Sequence, residues 1–321
     1  MTSLDRQIHD LFAAANTVAV LSHIRPDGDA VGSVLGLGTA LQEAGKKVQF
    51  VLNDGSSAVY RSLANSENIQ PVINAPVDLV VVVDCSDLER LGAALPDGRA
   101  VDINIDHHIS NLNFGRVNLV EPQAAATAQV ITHHLQAWGL GLSKASAEAL
   151  LTGILTDTIG FRTSNVSAQT LRTAADLMDF GVDMPGIYHR VLIERSYEAL
   201  RLWGRGIENL QRQDAIVWGV LTAEDRKAAA YPGKDDAELI SILSTLRDVD
   251  IAVLFVEQDA QHTKVSWRAK PGVDVSRVAL HFGGGGHAPA AGAMITGTLD
   301  DIIHRVIEET KKIKPNQEEC K

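Results

Sequence analysis

Five consecutive aliphatic residues, Leu79 to Val83, end on a carboxylate, Asp84. Side chains alternate across a strand, so an unbroken apolar run implies burial on both faces, the condition of a strand inside a parallel sheet. Residues 48–52 and 101–106 read as further strands, with near-continuous Val and Ile at two of the three stretches, and residues 17–22 form a short β-rich apolar run. That short run opens a strand, loop, helix unit: a polar Pro/Gly turn over residues 23–29, then a helical pattern over residues 30–43 that stops at Gly45. Gly32, Gly36 and Ala40 recur at four-residue spacing in this helix. Each interior Gly costs about 1 kcal/mol relative to Ala, and close packing on the sheet is the expected reason. Helical patterns follow at residues 127–138, 143–156 and 167–180, the last closed by Gly181. Residues 1–185 are therefore expected to form an α/β domain, a parallel sheet with helices on both faces.

Residues 186–213 read as a long helical stretch rich in Arg and Glu, the pattern of a helical linker. A second, smaller α/β domain is expected over residues 214–321. Its strands fall at residues 215–222, 251–257, 263–269 and near 291–296. Its helices fall near residues 223–229, 236–246 and 275–282 and from Leu299 onward, with a glycine loop before the last strand.

The 321 residues are 45% hydrophobic and 21% charged, an ordinary globular composition. No apolar run approaches the ~20 residues that span a bilayer, so no membrane partner is expected. Against 29 Lys and Arg stand 40 Asp and Glu, a formal charge of −11. Long duplex nucleic acid is gripped by a basic surface, so it is not an expected partner. Asp5 and Asp10 lie where a secretory signal would be basic, and Cys85 and Cys320 do not suggest a disulfide framework. Both features point to a cytoplasmic address.

The densest polar constellation is His23, Asp27 and Asp29 in one turn, Asp84 at the end of a buried strand, Asp106, His107 and His108 at the end of another, and Asp157 after a helix. An open parallel sheet binds ligands outside the carboxyl ends of its strands, so at least three of these groups should converge on one edge. Converging carboxylates repel one another unless a cation sits among them. Carboxylate and imidazole without thiolate suit Mn²⁺, Mg²⁺, Fe²⁺ or Co²⁺ better than a structural zinc, and imidazole tilts the choice from Mg²⁺ towards Mn²⁺. Six candidate ligands suggest two ions sharing one carboxylate, an arrangement suited to in-line phosphoryl displacement by water. One strand-end Asp or His alone would be an ordinary cap or a satisfied polar residue, but eight in one domain are hard to explain that way. His133 and His134 lie mid-helix with no carboxylate near in sequence and are not expected to be ligands.

His23-Ile-Arg-Pro-Asp27-Gly-Asp29-Ala, Asp84 after four valines, Asp106-His107-His108-Ile-Ser-Asn111 and Thr156-Asp157-Thr with Phe161 resemble, in order and spacing, the four motifs of the DHH phosphoesterase superfamily. Gly283-Gly284-Gly285-Gly286-His287, followed by Ala290-Ala291-Gly292, is similar to the signature of the DHHA1 domain, so the resemblance covers nearly the whole chain. The subgroup it most resembles is the small two-domain type that includes NrnA-like oligoribonucleases and 3′-phosphoadenosine-5′-phosphate (pAp) phosphatases. The resemblance implies two divalent metal ions, Mn²⁺ foremost with Mg²⁺ or Co²⁺ as alternatives. One would be held by His23, Asp27 and Asp84, the other by Asp29, Asp84, His107 and Asp157, with Asp84 bridging. It also implies that His108 faces the scissile phosphate or the attacking water, that Asp106 orients the histidines, and that Asn111 contacts substrate or supports its loop.

Four consecutive glycines remove every Cβ and permit positive φ, so backbone amides can approach a phosphate or base closely, although a plain flexible turn would need the same residues. With His287 beside them and Arg268 on a nearby strand, the resemblance makes Arg268, Gly284, Gly285, Gly286 and His287 substrate contacts. Arg268-Ala269 stands where the family commonly has Arg-Ser, with Ser266 two positions earlier. Ile159 stands where many members have glycine, and Ala125-Ala126 precede Thr127 where serines are frequent. Trp267 and Phe282 are read as core in preference to base-stacking residues. The function so implied is a metal-dependent phosphodiesterase whose first domain cuts and whose second holds the nucleotide. Its substrates would be short single-stranded RNA, linear dinucleotides and pAp. Hydrolysis of cyclic di-AMP and non-catalytic nucleotide sensing are the rival readings, and a homodimer is the assembly usual among similar proteins.

Overall fold

The structure is a computed structural model that describes residues 2–313. The chain divides into two compact units between Glu194 and Arg195.

The first unit contains α1 (Ser3–Ala14), β1 (Thr17–Leu21), α2 (Gly28–Glu43), β2 (Lys47–Val51), β3 (Ile69–Gln70), β4 (Leu79–Val83), β5 (Ile103–Asp106), β6 (Val117–Val120), α3 (Thr127–His134), α4 (Lys144–Asp157), α5 (Ala168–Met178) and α6 (Met184–Tyr188). The six strands form one parallel sheet in the order β3-β2-β1-β4-β5-β6. From β1 the chain first builds outward through β2 and β3, then returns to the other side of β1 to add β4, β5 and β6. The reversal falls between β1 and β4, and a crevice at the carboxyl ends of such a pair is where open α/β sheets bind ligands.

Strand alternation sends Val18, Val20, Val81, Val83, Ile103 and Ile105 to the helical side and Ala19, Leu21, Val80 and Val82 to the other. Each fully buried Val, Leu or Ile contributes about 1.5–3 kcal/mol, which is why this strand composition leads to a two-sided core. The expected second layer of helices is replaced by irregular segments that bring Ile73, Val77, Leu91, Ala94 and Phe114 onto the sheet. Pro96 and the left-handed Gly92 (φ 58°) and Gly98 (φ 74°) interrupt the connection from β4 to β5, which forms only a 3₁₀ turn at Leu88–Leu91.

Helix α2 is buried from Gly28 to Leu41. Gly32 and Gly36 pack on α4, not on the sheet as their spacing suggested, whereas Gly38 faces Phe50 of β2. A Cβ at Gly32 would lie 2.5 Å from the Ala149 carbonyl oxygen, and one at Gly36 would lie 2.6 Å from Leu150 Cγ. Ser146 Oγ ties the two helices by donating to the Gly36 carbonyl at 2.7 Å.

The second unit contains α7 (Tyr197–Glu208), β7 (Gln211–Gln213), β8 (Ile216–Leu221), α8 (Ala223–Ala229), α9 (Leu239–Leu243), β9 (Ile251–Asp259), β10 (His262–Ala269), α10 (Ser276–His281), β11 (Gly285–His287), β12 (Ala290–Thr296) and α11 (Leu299–Thr310). Its sheet has the order β11-β12-β10-β9-β8-β7 and is antiparallel except for the β8–β9 pair. One face packs Trp267 and Phe255 with Val278 and Ile302, and the other packs Leu254 and Leu221 with Leu202 and Leu239.

Residues 186–213 do not form one continuous helix. A π-helical turn, His189–Ile193, follows α6, the chain extends at Glu194 (ψ 130°), and Ser196 starts α7 afresh by accepting from the Ala199 N–H at 3.1 Å. The glycine segment is an edge strand where a loop was expected: Gly285, Gly286 and His287 pair with Gly292, Ala291 and Ala290. Trp267 is fully buried, donates to Thr310 Oγ1 at 3.1 Å and stacks with Phe282, so both rings belong to the core. Burial pushes the Cys85 thiol up to about 12, and Cys320 lies outside the described residues. Among the described residues no helix is long and apolar enough to cross a membrane.

Candidate metal centre

The polar groups singled out in the sequence sit at the ends of elements that meet at the switch in strand order. His23 follows β1, Asp84 follows β4, Asp106 ends β5 with His107 and His108 after it, and Asp157 ends α4. Asp27 caps α2, its Oδ1 accepting from the N–H groups of Asp29 and Ala30, both at 3.1 Å. Asp84 has φ 53°, a left-handed backbone rare outside glycine, and its N–H donates to the Ile105 carbonyl at 2.9 Å.

Three groups of potential ligand atoms lie within 4.8 Å of one another: His23, Asp27 and Asp84; Asp29, His107 and Asp157; and Asp84, His107 and His108. Asp84 belongs to two of them through different oxygens, and His107 joins the third. Asp84 Oδ2 is 3.6 Å from His23 Nε2, whereas its Oδ1 is 3.9 Å from His107 Nε2 and 3.7 Å from His108 Nδ1. His107 Nε2 is also 3.4 Å from Asp157 Oδ2. The carboxylate of Asp29 is buried between helices, with Oδ2 and Oδ1 accepting from the Thr127 and Ala128 N–H groups at 2.6 and 3.0 Å. Gly153 makes room for it, since a Cβ there would stand 2.7 Å from Asp29 Oδ1.

Two imidazoles are held by backbone carbonyls. His23 Nδ1 is 2.8 Å from the Ile24 carbonyl and His107 Nδ1 is 3.2 Å from the Ala124 carbonyl. A carbonyl accepts only, so each Nδ1 carries the proton and each Nε2 is directed at carboxylates. The His23–Asp84 separation, at 3.6 Å, exceeds a hydrogen bond but leaves room for a cation between donor atoms. The donor set therefore fits divalent metal, and protons compete for the same lone pairs. Burial disfavours protonated His23, but the neighbouring Asp84 outweighs it and raises the imidazole above its ordinary value.

Burial, then the charges of Asp84 and Asp157, raise Asp29 well above the carboxylate range. Burial also lifts Asp157 to about 6, with His107 opposing and Asp84 adding to the rise. For Asp84 burial is outweighed by the neighbouring His23, His108 and His107, which hold it at about 2. A cluster split in this way around the buried Asp29 and Asp84 is unfavourable when empty and favourable around cations.

Asp106 is fully buried and organises the remaining groups. Its Oδ1 accepts from His108 Nδ1 at 2.7 Å and from the His107 N–H at 2.8 Å. Burial lowers the His108 pKa, but Asp106 and Asp84 outweigh it and bring the ring to about 9. Asn111 Nδ2 donates to Asp106 Oδ2 at 2.5 Å and to the Cys85 carbonyl at 3.2 Å, and its Oδ1 accepts from the Asn113 N–H at 2.7 Å. Of its two anticipated roles, loop support is the one these contacts serve; the substrate contact is left without a free amide donor. Thr127, read in the sequence only as a helix start, has its buried hydroxyl 3.0 Å from Asp84 Oδ1.

Ile159, Gly160 and Phe161 follow Asp157 with φ 49°, 68° and 67°, so the Ile159 position has the backbone that favours glycine. His133 and His134 lie apart from the cluster: His133 bonds Thr173, and His134 joins Asp5 at 2.6 Å to Glu121 at 2.9 Å.

In the second unit the register pairs Arg268 with Ala290 and Ala290 with His287, so Arg268 and His287 share a face opposite Trp267. Ser266, Gly292 and Gly285 form the next row on that face. Burial pulls the half-buried Arg268 guanidinium below its ordinary value, and its Nη1 donates to the Trp267 carbonyl at 3.0 Å. His287 and Gly286 are exposed, while a Cβ at Gly284 would stand 2.1 Å from the Gly292 carbonyl oxygen. Close seating of the edge strand on β12 thus accounts for Gly284.

The DHH family N-terminal domain matches residues 17–154 and the DHHA1 domain matches residues 225–312. The bifunctional oligoribonuclease and PAP phosphatase NrnA of Thermus thermophilus is 32% identical over 94% of this chain and 91% of its own length. Its namesake in Mycoplasma pneumoniae is 30% identical over 93% of each chain. A crystal structure of an exopolyphosphatase-related protein from Bacteroides fragilis superposes with a TM-score of 0.88 at 25% identity, covering 97% of this chain and 98% of that one. By these matches along nearly its whole length the chain belongs to the DHH family of phosphoester hydrolases, with a DHHA1 domain after its N-terminal DHH domain.

Proposed function

We propose that the protein hydrolyses short oligoribonucleotides and linear dinucleotides to mononucleotides, and pAp to AMP, using two divalent metal ions, Mn²⁺ foremost. His23, Asp27 and Asp84 would hold one ion and Asp29, Asp84, His107 and Asp157 the other. The observation that carries this reading is the division of Asp84, with Oδ2 towards His23 and Oδ1 towards His107. Two such ions supply an activated water and neutralise charge on a phosphoryl group undergoing in-line displacement.

The chain's own residues complete the chemistry. Asp106 fixes the proton on His108 Nδ1, which leaves Nε2 of a positively charged ring to donate to a phosphate oxygen. In the second unit Arg268, with His287 on the same face, supplies a planar donor set suited to phosphate. The names of the NrnA relatives support short RNA and pAp as the substrate class.

The test is turnover by metal-stripped protein, with and without Mn²⁺, on pAp, pApA, a five-residue RNA, cyclic di-AMP and pyrophosphate. Manganese-dependent release of mononucleotides from the linear substrates is expected. Activity confined to the ring or to pyrophosphate, or nucleotide binding without turnover, would overturn the assignment.

A further inference from the structure

Thr127 is the first residue of α3 and is fully buried. Its N–H donates to Asp29 Oδ2 at 2.6 Å, and its Oγ1 lies 3.0 Å from Asp84 Oδ1 and 3.5 Å from Asp106 Oδ1. One residue thus touches carboxylates delivered by α2, by the end of β4 and by β5.

A hydroxyl has one proton to donate, and geometry selects its acceptor. Asp106 Oδ1 already accepts from His108 Nδ1 at 2.7 Å and from the His107 N–H at 2.8 Å. Asp84 Oδ1 is farther from the imidazoles, 3.7 Å from His108 Nδ1 and 3.9 Å from His107 Nε2, and Thr127 Oγ1 is closer at 3.0 Å. The Thr127 proton therefore goes to Asp84. A carboxylate at the end of a short side chain turns freely about its last bond unless a donor holds one oxygen.

We propose that Thr127 is a positioning residue of the metal centre, its hydroxyl setting the rotation of the Asp84 carboxylate so that one oxygen is presented to each ligand group. The inference rests on the reading of Asp84 as the shared ligand. The structural work of Thr127 at the start of α3 is done by its backbone N–H, which any replacement except proline retains. The hydroxyl can thus be removed separately from the helix start.

The experiment titrates the metal-stripped full-length protein with Mn²⁺ by calorimetry in wild type, Thr127→Val and Thr127→Ser, and measures hydrolysis of a short RNA at saturating Mn²⁺. Thr127→Val keeps the shape and removes the donor. It is expected to weaken Mn²⁺ binding about 10–100-fold and to lower kcat with little change in KM, the scale typical of lost outer-sphere support. Thr127→Ser, which keeps the hydroxyl donor and gives up a methyl group, is expected to bind within about threefold of wild type, since its hydrogen bond to Asp84 is retained. Melting of the metal-free proteins reports folding, and Thr127→Ala replaces Thr127→Val if the latter does not fold. Wild-type Mn²⁺ affinity in a folded hydroxyl-less variant would overturn the proposal, as would equal losses in the Ser and Val variants, which would assign the effect to packing at position 127 and not to the hydroxyl. Failure of the wild type itself to bind Mn²⁺ would instead overturn the metal centre, and the two failures are told apart by the wild-type titration.

Discussion

His108 Nδ1 lies 2.7 Å from Oδ1 of the fully buried Asp106, a charge-assisted hydrogen bond between a ring open to solvent on one side and a carboxylate closed to it. The two differ in access, since Asp106 reaches no solvent and His108 stays partly open to it. Replacing Asp106 by Asn removes the charge and keeps the volume. In the metal-free protein His108 should then titrate well below about 9, as followed by NMR of the imidazole. Turnover should fall about 10–100-fold or more while Mn²⁺ binding is largely kept. An unchanged His108 titration would show that Asp106 does not control the ring.

Metal binding should be linked to pH through the same cluster. Burial lifts Asp157 to about 6, burial with neighbouring charge raises Asp29 well above its ordinary range, and Asp84 raises His23. All three must be deprotonated to act as ligands, so Mn²⁺ affinity falls as pH drops through about 6. Calorimetry at pH 7.5 and 5.5 in buffers of different ionisation enthalpy should show proton release on binding, and absence of release would contradict this electrostatic picture. Saturation at one hundred times Kd should stabilise the protein by about 2.7 kcal/mol. The Asp84→Ala variant should lose that stabilisation and nearly all turnover.

A clamp remote from the cluster has its own pH window. His134 joins Asp5 on α1 to Glu121 beyond β6, and Asp5 also forms the capping box of α1 with Thr2. Glu121 raises His134, burial opposes and Asp5 adds, so this contribution is complete below the unfolded value of about 6.5 and is lost as pH rises through the folded one. For Asp5 burial is outweighed by the Thr2 N–H and by His134, which hold it at about 2. Its contribution is present above the unfolded value of about 3.9 and is lost as pH falls through the folded one. The clamp is therefore strongest between about pH 4 and 6.5. Urea unfolding of His134→Gln should show a deficit on the order of 1–3 kcal/mol at pH 5.5 that narrows at pH 9, and equal deficits at both would remove the charge from the explanation.

The carboxylates and histidines of the cluster were legible because they stand where chain direction changes, after β1, after β4, after β5 and at the end of α4. Parallel strands put those ends on one edge, so sequence position alone carried spatial information. Thr127 was not legible for the opposite reason. Its hydroxyl belongs to the first helical residue, where no capping pattern is expected, and its partner Asp84 lies 43 positions away. Gly32 and Gly36 announced a close approach without naming the neighbour, because a stripe of small residues fits a helix as well as a sheet. The glycine run before His287 misled in the same way: it supports an edge strand seated on β12, and composition alone does not separate that from a loop.

The contact between α2 and α4 gives the last test, because both helices deliver residues to the cluster. Gly32→Ala would ordinarily favour a helix by about 1 kcal/mol. Here the new methyl would stand 2.5 Å from the Ala149 carbonyl oxygen and 2.7 Å from the Gly153 nitrogen, both backbone atoms of α4 that no rotamer change can move. Relief requires α4 to shift, and such overpacking costs about 1–3 kcal/mol, enough to outweigh the propensity gain. That shift would carry Asp157, at the end of α4, away from Asp29 and His107, and Gly153 away from the Asp29 carboxylate it accommodates. The variant should therefore unfold at lower urea than wild type and also bind Mn²⁺ more weakly, although position 32 offers no ligand. A more stable variant with unchanged Mn²⁺ affinity would show that the α2–α4 contact does not set the ligand geometry.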